Sequence, residues 1–361
     1  MRIVLTGGGT GGHVYPAISI AEALHGESEY ELLYIGSRDG LEARLVAETE
    51  IPFRGLTSRK LRKLISPDTI LTAGALAKGF MEALSVLRRF KPDLVISTGG
   101  YASAAVVMAQ ASRRGKILIH EENVVIGRTN LWLSRFASKV CVAFEDSVKY
   151  FPSGKAIVTG LPVRSELLNL PGKEQARAKM GLKPDKFTIL VLGGSLGARR
   201  LNEVVADSIP GLRQLPVQVI HQAGEKNFEE AEHRRESTGW NDYHLYAYLN
   251  DMLNAYASAD IVICRSGAST VAEITAIGIP AIMVPYPYHK DKQQVYNAEY
   301  VVRNGGGMVI DDAEINADWL VATIERFVSS PEELKKMAEA SRKLGRPQAA
   351  QDIANIAVGM I

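Results

Sequence analysis

Short apolar runs rich in valine, isoleucine and leucine alternate with helix-patterned stretches along almost the whole chain, and this alternation most restricts its fold. The runs are Arg2–Thr6, Glu31–Ile35, Asp93–Ser97, Lys116–His120, Lys139–Phe144 and Ala156–Thr159. They resume at Phe187–Leu192, Val217–His221, His244–Leu249, Asp260–Cys264, Ala281–Pro285 and Met308–Ile310. Their apolarity is continuous, not alternating, which is the mark of strands covered on both faces. Strands separated by helices form right-handed βαβ units, so the spacing predicts a doubly wound, parallel α/β fold.

One internal similarity divides the chain. Met1–Leu24 reads as a strand, then Gly7-Gly8-Gly9-Thr10-Gly11-Gly12, then a helix with Ala17, Ile18, Ala21 and Leu24 on one face. Phe187–Val205 reads as a strand, then Gly193-Gly194-Ser195-Leu196-Gly197, then a helix with Leu201, Val204 and Val205. At 361 residues the chain exceeds what one core usually organises, so two Rossmann-like halves in tandem are predicted. The joint falls near Gly160–Arg164, where a strand meets the proline turn at Pro162. The last helix, after Gly345-Arg346-Pro347, can pack on either half.

Composition removes several function classes. A net charge of +2 is far from the basic excess of a general nucleic-acid binder. The two cysteines, Cys141 and Cys264, sit in strand-like runs and cannot form a disulfide framework; buried thiols in a reducing compartment are expected. No secretion signal is visible at the start. Lys78 and Glu82 interrupt the most apolar long stretch, Asp68 to Leu87, so no spanning helix is expected.

The glycine loops carry the chemistry. Gly7, Gly9 and Gly12 formally spell the dinucleotide fingerprint between strand and helix, but the acid that fingerprint wants at the second strand's end comes only at Asp39, beyond Gly36. A nicotinamide oxidoreductase therefore stands as a rival reading. In either case backbone N–H groups at a helix start can approach a ligand closely. His13 follows the loop, at the beginning of a helix whose first turn is expected to hold Pro16. A helix start disfavours imidazolium, so a neutral His13 is expected, as a general base must be; the alternative is a cap or packing role. The second loop offers backbone N–H groups and the Ser195 hydroxyl to a diphosphate, or is only a turn.

Further polar groups gather at strand ends. Ser266, Thr270 and Glu273 fall at i, i+4 and i+7, which predicts one helical face where Glu273 can accept both hydroxyls of a ribose, or a solvated face whose short polar residues serve as caps. Gln293, Gln294 and Asn297 offer amides suited to sugar hydroxyls, or belong to ordinary surface. Thr98-Gly99-Gly100-Tyr101 and His120-Glu121-Glu122-Asn123 end two strands of the first half; either alone is compatible with a mere turn, but with the first loop they suggest a pocket. No Asp-x-Asp and no metal-ligand spacing occurs, so helix dipoles and arginine are expected to neutralise a diphosphate without a metal. Between Arg54 and Lys63 lie Arg54, Arg59, Lys60, Arg62 and Lys63 with no acid, and Leu61, Leu64 and Ile65 are interleaved; an apolar helix follows. That mixture suits an anionic membrane surface, at roughly 1 kcal/mol per basic residue, or is a solvated loop.

Taken in order, these residues resemble the MurG family of peptidoglycan glycosyltransferases, which convert lipid I into lipid II. The likeness rests on Gly8–Pro16, Thr98–Tyr101, His120–Asn123, Leu161–Arg164, Gly193–Gly197, Cys264–Thr270 and Lys290–Gln294 with Asn297-Ala298, and runs to the C-terminal helix. It implies a GT-B fold, two Rossmann-like parallel-sheet domains with a cleft between them: an acceptor and membrane-associating domain over 1–162 plus 341–361, and a donor domain over 163–340. It implies inverting, metal-independent and cofactor-free transfer of N-acetylglucosamine from UDP-GlcNAc. The acceptor is the C4 hydroxyl of the muramoyl sugar on undecaprenyl diphosphate, at the cytoplasmic membrane face.

The resemblance also implies residue roles. Ser195 and its loop meet the diphosphate, the backbone near Leu249 holds uracil, and the helix start Ala268, Ser269, Thr270, Val271 and Ala272 faces the nucleotide. Glu273 binds ribose, and Gln293, Gln294 and Asn297 read the sugar. Thr10, Gly11, Gly12, Asn123 and Arg164 add donor contacts from the first domain. His13 is the expected base, with Glu121 a second candidate or an orienter of the acceptor. Arg59, Lys60, Leu61, Arg62, Lys63 and Leu64 form the membrane segment. The chain departs from the family's common pattern at Glu122, Leu161 and Leu196, where Gln, Asn and Gln are frequent. Two further readings stay open: a related transferase with another lipid acceptor such as diacylglycerol, and a non-catalytic nucleotide-sugar-binding scaffold.

Overall fold

The computed structural model describes residues 1–25, 30–59, 67–194, 197–288 and 291–361, with backbone only for 67–70. The chain divides into two compact units, Met1–Arg164 with Arg346–Ile361, and Ser165–Gly345.

Among the described residues the first unit carries a parallel sheet of seven strands: β1 (Arg2–Gly7), β2 (Glu31–Ser37), β3 (Phe53–Leu56), β4 (Leu94–Gly99), β5 (Lys116–Glu121), β6 (Lys139–Val142) and β7 (Ala156–Val158). Their order across the sheet is β3-β2-β1-β4-β5-β6-β7. Successive side chains alternate between faces. Ile3 and Leu5 pack with the helix Gly11–His25 and with Ile353, Ala354 and Ala357 of the C-terminal helix Ala349–Met360. Val4 packs on the other face with Ala83 and Leu87 of the helix Pro67–Phe90 and with Val106 of the helix Tyr101–Ser112. Both faces are covered, which is why the runs read as continuously apolar. Each such buried valine, leucine or isoleucine contributes roughly 1.5–3 kcal/mol.

The second unit repeats the plan with β8 (Phe187–Leu192), β9 (Val217–Gln222), β10 (Tyr243–Tyr246), β11 (Ile261–Cys264), β12 (Ala281–Met283) and β13 (Gly307–Val309), ordered β10-β9-β8-β11-β12-β13. In each unit the chain first winds outward one way from its central strand and then the other way. The reversal lies between β1 and β4, and between β8 and β11, and ligands of such sheets bind outside the carboxyl ends at that switch point. Both glycine loops leave the sheet there. Cys141 and Cys264 are buried, and burial pushes each thiol up to about 12.

Three local expectations are corrected. Arg54 does not open a basic loop; it lies in β3, an edge strand paired with β2 at Ile35. That strand alternates in burial and contains Gly55, so it lacks the continuous apolar signal of the others. Ala281–Pro285 ends as a strand at Met283 and His244–Leu249 ends at Tyr246; Pro285 has no N–H to continue a ladder. Pro16 sits inside the first helix, which begins at Gly11, and not in its first turn. With no N–H there, the Gly12 carbonyl loses its helical partner beside the loop.

Candidate active site

At the carboxyl edge of the first sheet the loops after β1 and β4 lie in close contact. A Cβ at Gly100, whose φ is 87°, would collide with the Gly8 carbonyl oxygen, so only glycine fits. Thr98 grips His13 twice: its Oγ1 donates to the His13 carbonyl at 2.6 Å, and its own carbonyl lies 2.9 Å from His13 Nδ1. Glu122 Oε1, on the loop after β5, lies 2.8 Å from the same nitrogen. The structure thus brings together His13, Thr98 and Glu122 from three neighbouring strand ends.

This pairing overturns the expectation of a neutral His13. Burial pulls the imidazole down, but the Glu122 carboxylate, by charge and hydrogen bond, outweighs it and pushes His13 up to about 9. A helix start acts on a nearby charge by about 0.3–1 kcal/mol, whereas a hydrogen bond to a charged group is worth about 1.5–3 kcal/mol. The carboxylate wins. The acceptors of the site also define which nitrogen keeps its proton when the ring is neutral. Thr98 offers Nδ1 only a carbonyl, so Nδ1 carries the proton, and Nε2 makes no hydrogen bond among the described residues.

Glu121 and His120 are tied down differently. Glu121 Oε1 accepts from the backbone N–H groups of Glu122 and Asn123 at 3.1 and 3.0 Å; Oε2 accepts from Asn130 Nδ2 at 2.9 Å and Gly127 N at 3.3 Å. Burial raises this carboxyl while those donors draw it back. Both oxygens are engaged in shaping the loop. His120 donates from Nε2 to the Gly160 carbonyl at 2.9 Å and is held neutral, pulled down to about 4 by burial. Asn123 is half-buried on the loop that Glu121 organises; Thr10 is exposed, and Gly11 and Gly12 open the helix carrying His13. Arg164 closes this unit's main segment.

The sequence reading missed Glu42. It is fully buried beneath the first glycine loop, with Oε1 accepting from Ser37 N at 2.8 Å and Oε2 from Gly9 N at 3.2 Å. Gly8, Gly36 and Gly40 all crowd its carboxylate or stem. Glycines on three sides are the signal that could have pointed to a buried side chain there.

At the corresponding edge of the second sheet, Gly197 N bonds Gly194 O at 3.0 Å, and Gly197 (φ 75°) lies against the Ala223 carbonyl. Ser195 and Leu196 lie outside the described residues, as do His289 and Lys290 and, in the basic segment, Lys60, Leu61, Arg62, Lys63 and Leu64. Two helices, Arg199–Leu212 and Ala268–Ile277, start at this edge, and neither has a side-chain cap. Their first N–H groups therefore suit an anion. Gln222, also missed, spans the edge: its Oε1 accepts from Leu249 N at 3.0 Å and its Nε2 donates to Gly194 O at 3.3 Å.

Glu273 is half-buried, and Tyr256 Oη donates to its Oε2 at 2.8 Å. Ser269, Thr270 and Ala272 are partly accessible around the helix start, whereas Ala268 and Val271 point into the interior. Ser266 is not on that helical face. It precedes the helix, is fully buried, and its Oγ donates to the Gln294 carbonyl at 2.8 Å. Asn297 is also fully buried, with Nδ2 on the Ser266 carbonyl at 3.2 Å; Gln294 Oε1 accepts from Tyr286 N at 2.9 Å. These two amides brace the loops around the helix start, and Gln293 stands half-buried on the first turn of the helix Gln293–Arg303.

Two family descriptions match the chain: the glycosyltransferase family 28 N-terminal domain over residues 3–142 and the glycosyltransferase family 28 C-terminal domain over residues 188–353. They define the class, a two-domain glycosyltransferase. A relative from Desulforamulus reducens named UDP-N-acetylglucosamine–N-acetylmuramyl-(pentapeptide) pyrophosphoryl-undecaprenol N-acetylglucosamine transferase is 40% identical over 361 residues, covering 98% of this chain and 97% of its own. The enzyme of the same name from Bacillus subtilis is 36% identical over 352 residues, with 97% of each covered. The crystal structure of MurG from Acinetobacter baumannii matches with a TM-score of 0.81 at 26% identity over 99% of both chains. The chain belongs to this family of N-acetylglucosamine transferases.

Proposed function

We propose that the protein transfers N-acetylglucosamine from UDP-GlcNAc, with inversion, to the C4 hydroxyl of the muramoyl sugar of undecaprenyl-diphospho-N-acetylmuramoyl-peptide, forming lipid II. The observation that carries this reading is 36–40% identity along nearly the full length to relatives bearing that activity in their names. The geometry supports a mechanism. His13 acts in the form that has lost its Nε2 proton, a form that grows as pH rises toward about 9; Nε2 then takes the proton of the acceptor hydroxyl as its oxygen bonds to the anomeric carbon, and the bond to the diphosphate breaks with its electron pair. The second unit holds the UDP: helix-start N–H groups and the Gly193–Gly197 loop with Ser195 receive the diphosphate, and Glu273 receives the ribose. Because Leu249 N is taken by Gln222, the Leu249 carbonyl is the group left to accept from uracil. Gln293 meets the sugar, while Gln294 and Asn297 shape its pocket wall; Thr10, Gly11, Gly12, Asn123 and Arg164 supply further donor contacts from the first unit. Glu121 positions the acceptor loop.

The protein acts in this reading at the cytoplasmic membrane face, held by Arg59–Leu64. Its basic charge supports this, as do Leu71 and Met81, exposed on the helix that follows. No helix of the described residues is long and apolar enough to cross a membrane. The test is UDP release from UDP-GlcNAc with lipid I against diacylglycerol, beside a thermal-shift series of UDP-GlcNAc, UDP-glucose, UDP-GalNAc and NAD. Release with lipid I alone and stabilisation by UDP-GlcNAc are expected. Release with diacylglycerol alone, or none at all, would refute the assignment.

A further inference from the structure

We propose that Glu122 is the positioning residue of the transfer: its carboxylate holds His13 with the proton on Nδ1, so that Nε2 faces the acceptor hydroxyl, and it shares the charge that His13 gains. This rests on the reading of His13 as the base. Three observations lead to it. Glu122 Oε1 and the Thr98 carbonyl both lie within 2.9 Å of Nδ1, and two acceptors on one nitrogen leave only the Nδ1–H form. The Glu122 side chain is 6% exposed, whereas the His13 ring retains 24%, so the carboxylate is shielded and the ring keeps an accessible edge. The adjacent Glu121 cannot substitute, because both its oxygens are engaged by its own loop.

The groups facing His13 support the same assignment. Glu121 and Glu122 face it from the loop after β5, and His120 from the end of β5 is neutral. Glu42, Tyr34 and Tyr101 border the glycine loop; Tyr34 Oη donates to the Gly7 carbonyl at 2.9 Å, and burial raises both phenols, so neither tyrosine carries charge. The nearest charge that can answer an imidazolium is therefore Glu122. During transfer the acceptor O–H proton passes to Nε2, the acceptor oxygen bonds to the anomeric carbon, and UDP departs with the electron pair of the broken C–O bond. His13 is then doubly protonated and paired with the Glu122 carboxylate, until it releases the proton to solvent.

The experiment compares Glu122→Gln, Glu122→Asp and His13→Ala in the full chain, following UDP release with UDP-GlcNAc and lipid I across pH. The same variants are titrated by ¹⁵N NMR of the histidine rings. Gln keeps an acceptor for Nδ1–H but removes the charge. The acidic limb of kcat should move down by about 1–3 pH units, the usual effect of one nearby charge. The plateau should fall about tenfold or more with donor KM little changed, as for a weakened base. Asp should restore the limb toward the native position. The His13 ring should titrate near 9 in the native protein and lower in the Gln variant. If His13→Ala is inactive while Glu122→Gln shows the native limb and ring titration, Glu122 is refuted and the His13 assignment stands. If His13→Ala keeps full turnover, both fall.

Discussion

Glu42 Oε2 lies 3.2 Å from the backbone nitrogen of Gly9, while Oε1 of the same carboxylate lies 2.8 Å from Ser37 N. In a dinucleotide fold the first glycine loop presents its N–H groups to a pyrophosphate. Here a buried carboxyl group already accepts from one of them, so that N–H is not open to an incoming diphosphate. The formal fingerprint Gly7, Gly9, Gly12 thus lacks one of the free N–H groups that a dinucleotide site would offer. Glu42→Ala should leave the buried Ser37 N–H without an acceptor, at a cost of about 1–3 kcal/mol. Thermal unfolding should move down by about 2–4 °C per kcal/mol. Glu42→Gln, which keeps one acceptor oxygen, should lose less. An unchanged melting temperature in the alanine variant would show that Glu42 does not brace the loop, and stabilisation of either variant by NAD would reopen the oxidoreductase reading.

Tyr256 is 1% exposed and donates to Glu273 Oε2 at 2.8 Å, so the carboxylate is oriented before any ligand arrives. Tyr256→Phe should weaken UDP binding by about threefold to tenfold, near 1 kcal/mol for one hydrogen bond. Glu273→Gln should weaken it further and should erase the preference for UDP over 2′-deoxy-UDP. Calorimetry on the four combinations measures this. Equal affinity of native protein and Glu273→Gln for UDP would remove Glu273 from the ribose.

The central strands were legible because burial on both faces writes an unbroken apolar run. Ile3, Val4 and Leu5 serve opposite faces and are all fully buried. The edge strand Phe53–Leu56 was not legible, since Arg54 needs no cover. The same limit applies to the site. Parallel strands bring their carboxyl ends to one edge, so the sequence alone places Gly7–His13, Thr98 and His120–Asn123 together. It does not tell which of Glu121 and Glu122 reaches His13, because the chain turns at Glu121 and the two side chains diverge. A neutral His13 follows from the helix start alone; the carboxylate 2.8 Å away, which the sequence does not place, outweighs that dipole. Glu42, Gln222 and Tyr256 went unseen because each reaches a group distant in sequence: Gly9, then Gly194 and Leu249, then Glu273.

The pairing of His13 also links stability to pH. Its value rises from 6.5 in an unfolded chain to about 9 in the fold. A raised value stabilises fully below the lower figure, and that contribution is lost as pH climbs through the higher one. Glu122, raised mainly by burial, acts in the same direction in its own lower range. His120 and His221 act oppositely, pulled down to about 4 and about 3 by burial, so their contribution is present above 6.5 and lost on acidification. The native protein should therefore lose on the order of 1–3 kcal/mol between pH 6.5 and 9, and His13→Gln should lose much less over that window. Urea denaturation at several pH values measures it. Parallel losses in the two proteins would show that His13 is not charged in the fold.

Gln222 joins two parts of the second sheet's carboxyl edge that no secondary structure connects. Its amide oxygen holds Leu249 N and its amide nitrogen reaches Gly194 O, so one side chain sets the spacing between the loop after β8 and the backbone after β10. A leucine there would fill similar space yet leave the buried Leu249 N–H without an acceptor and the glycine loop untied. Gln222→Leu should raise KM for UDP-GlcNAc by about tenfold, the effect of roughly 1.4 kcal/mol, because binding must then order what the amide ordered beforehand. Turnover at saturating donor should change little, since Gln222 belongs to the second unit and His13 to the first. Gln222→Glu separates the two bonds: the carboxylate still accepts from Leu249 N but repels the Gly194 carbonyl and any diphosphate near it. It should bind donor more weakly than the leucine variant, and a donor KM equal to the native value in both variants would show that the spacing is set elsewhere.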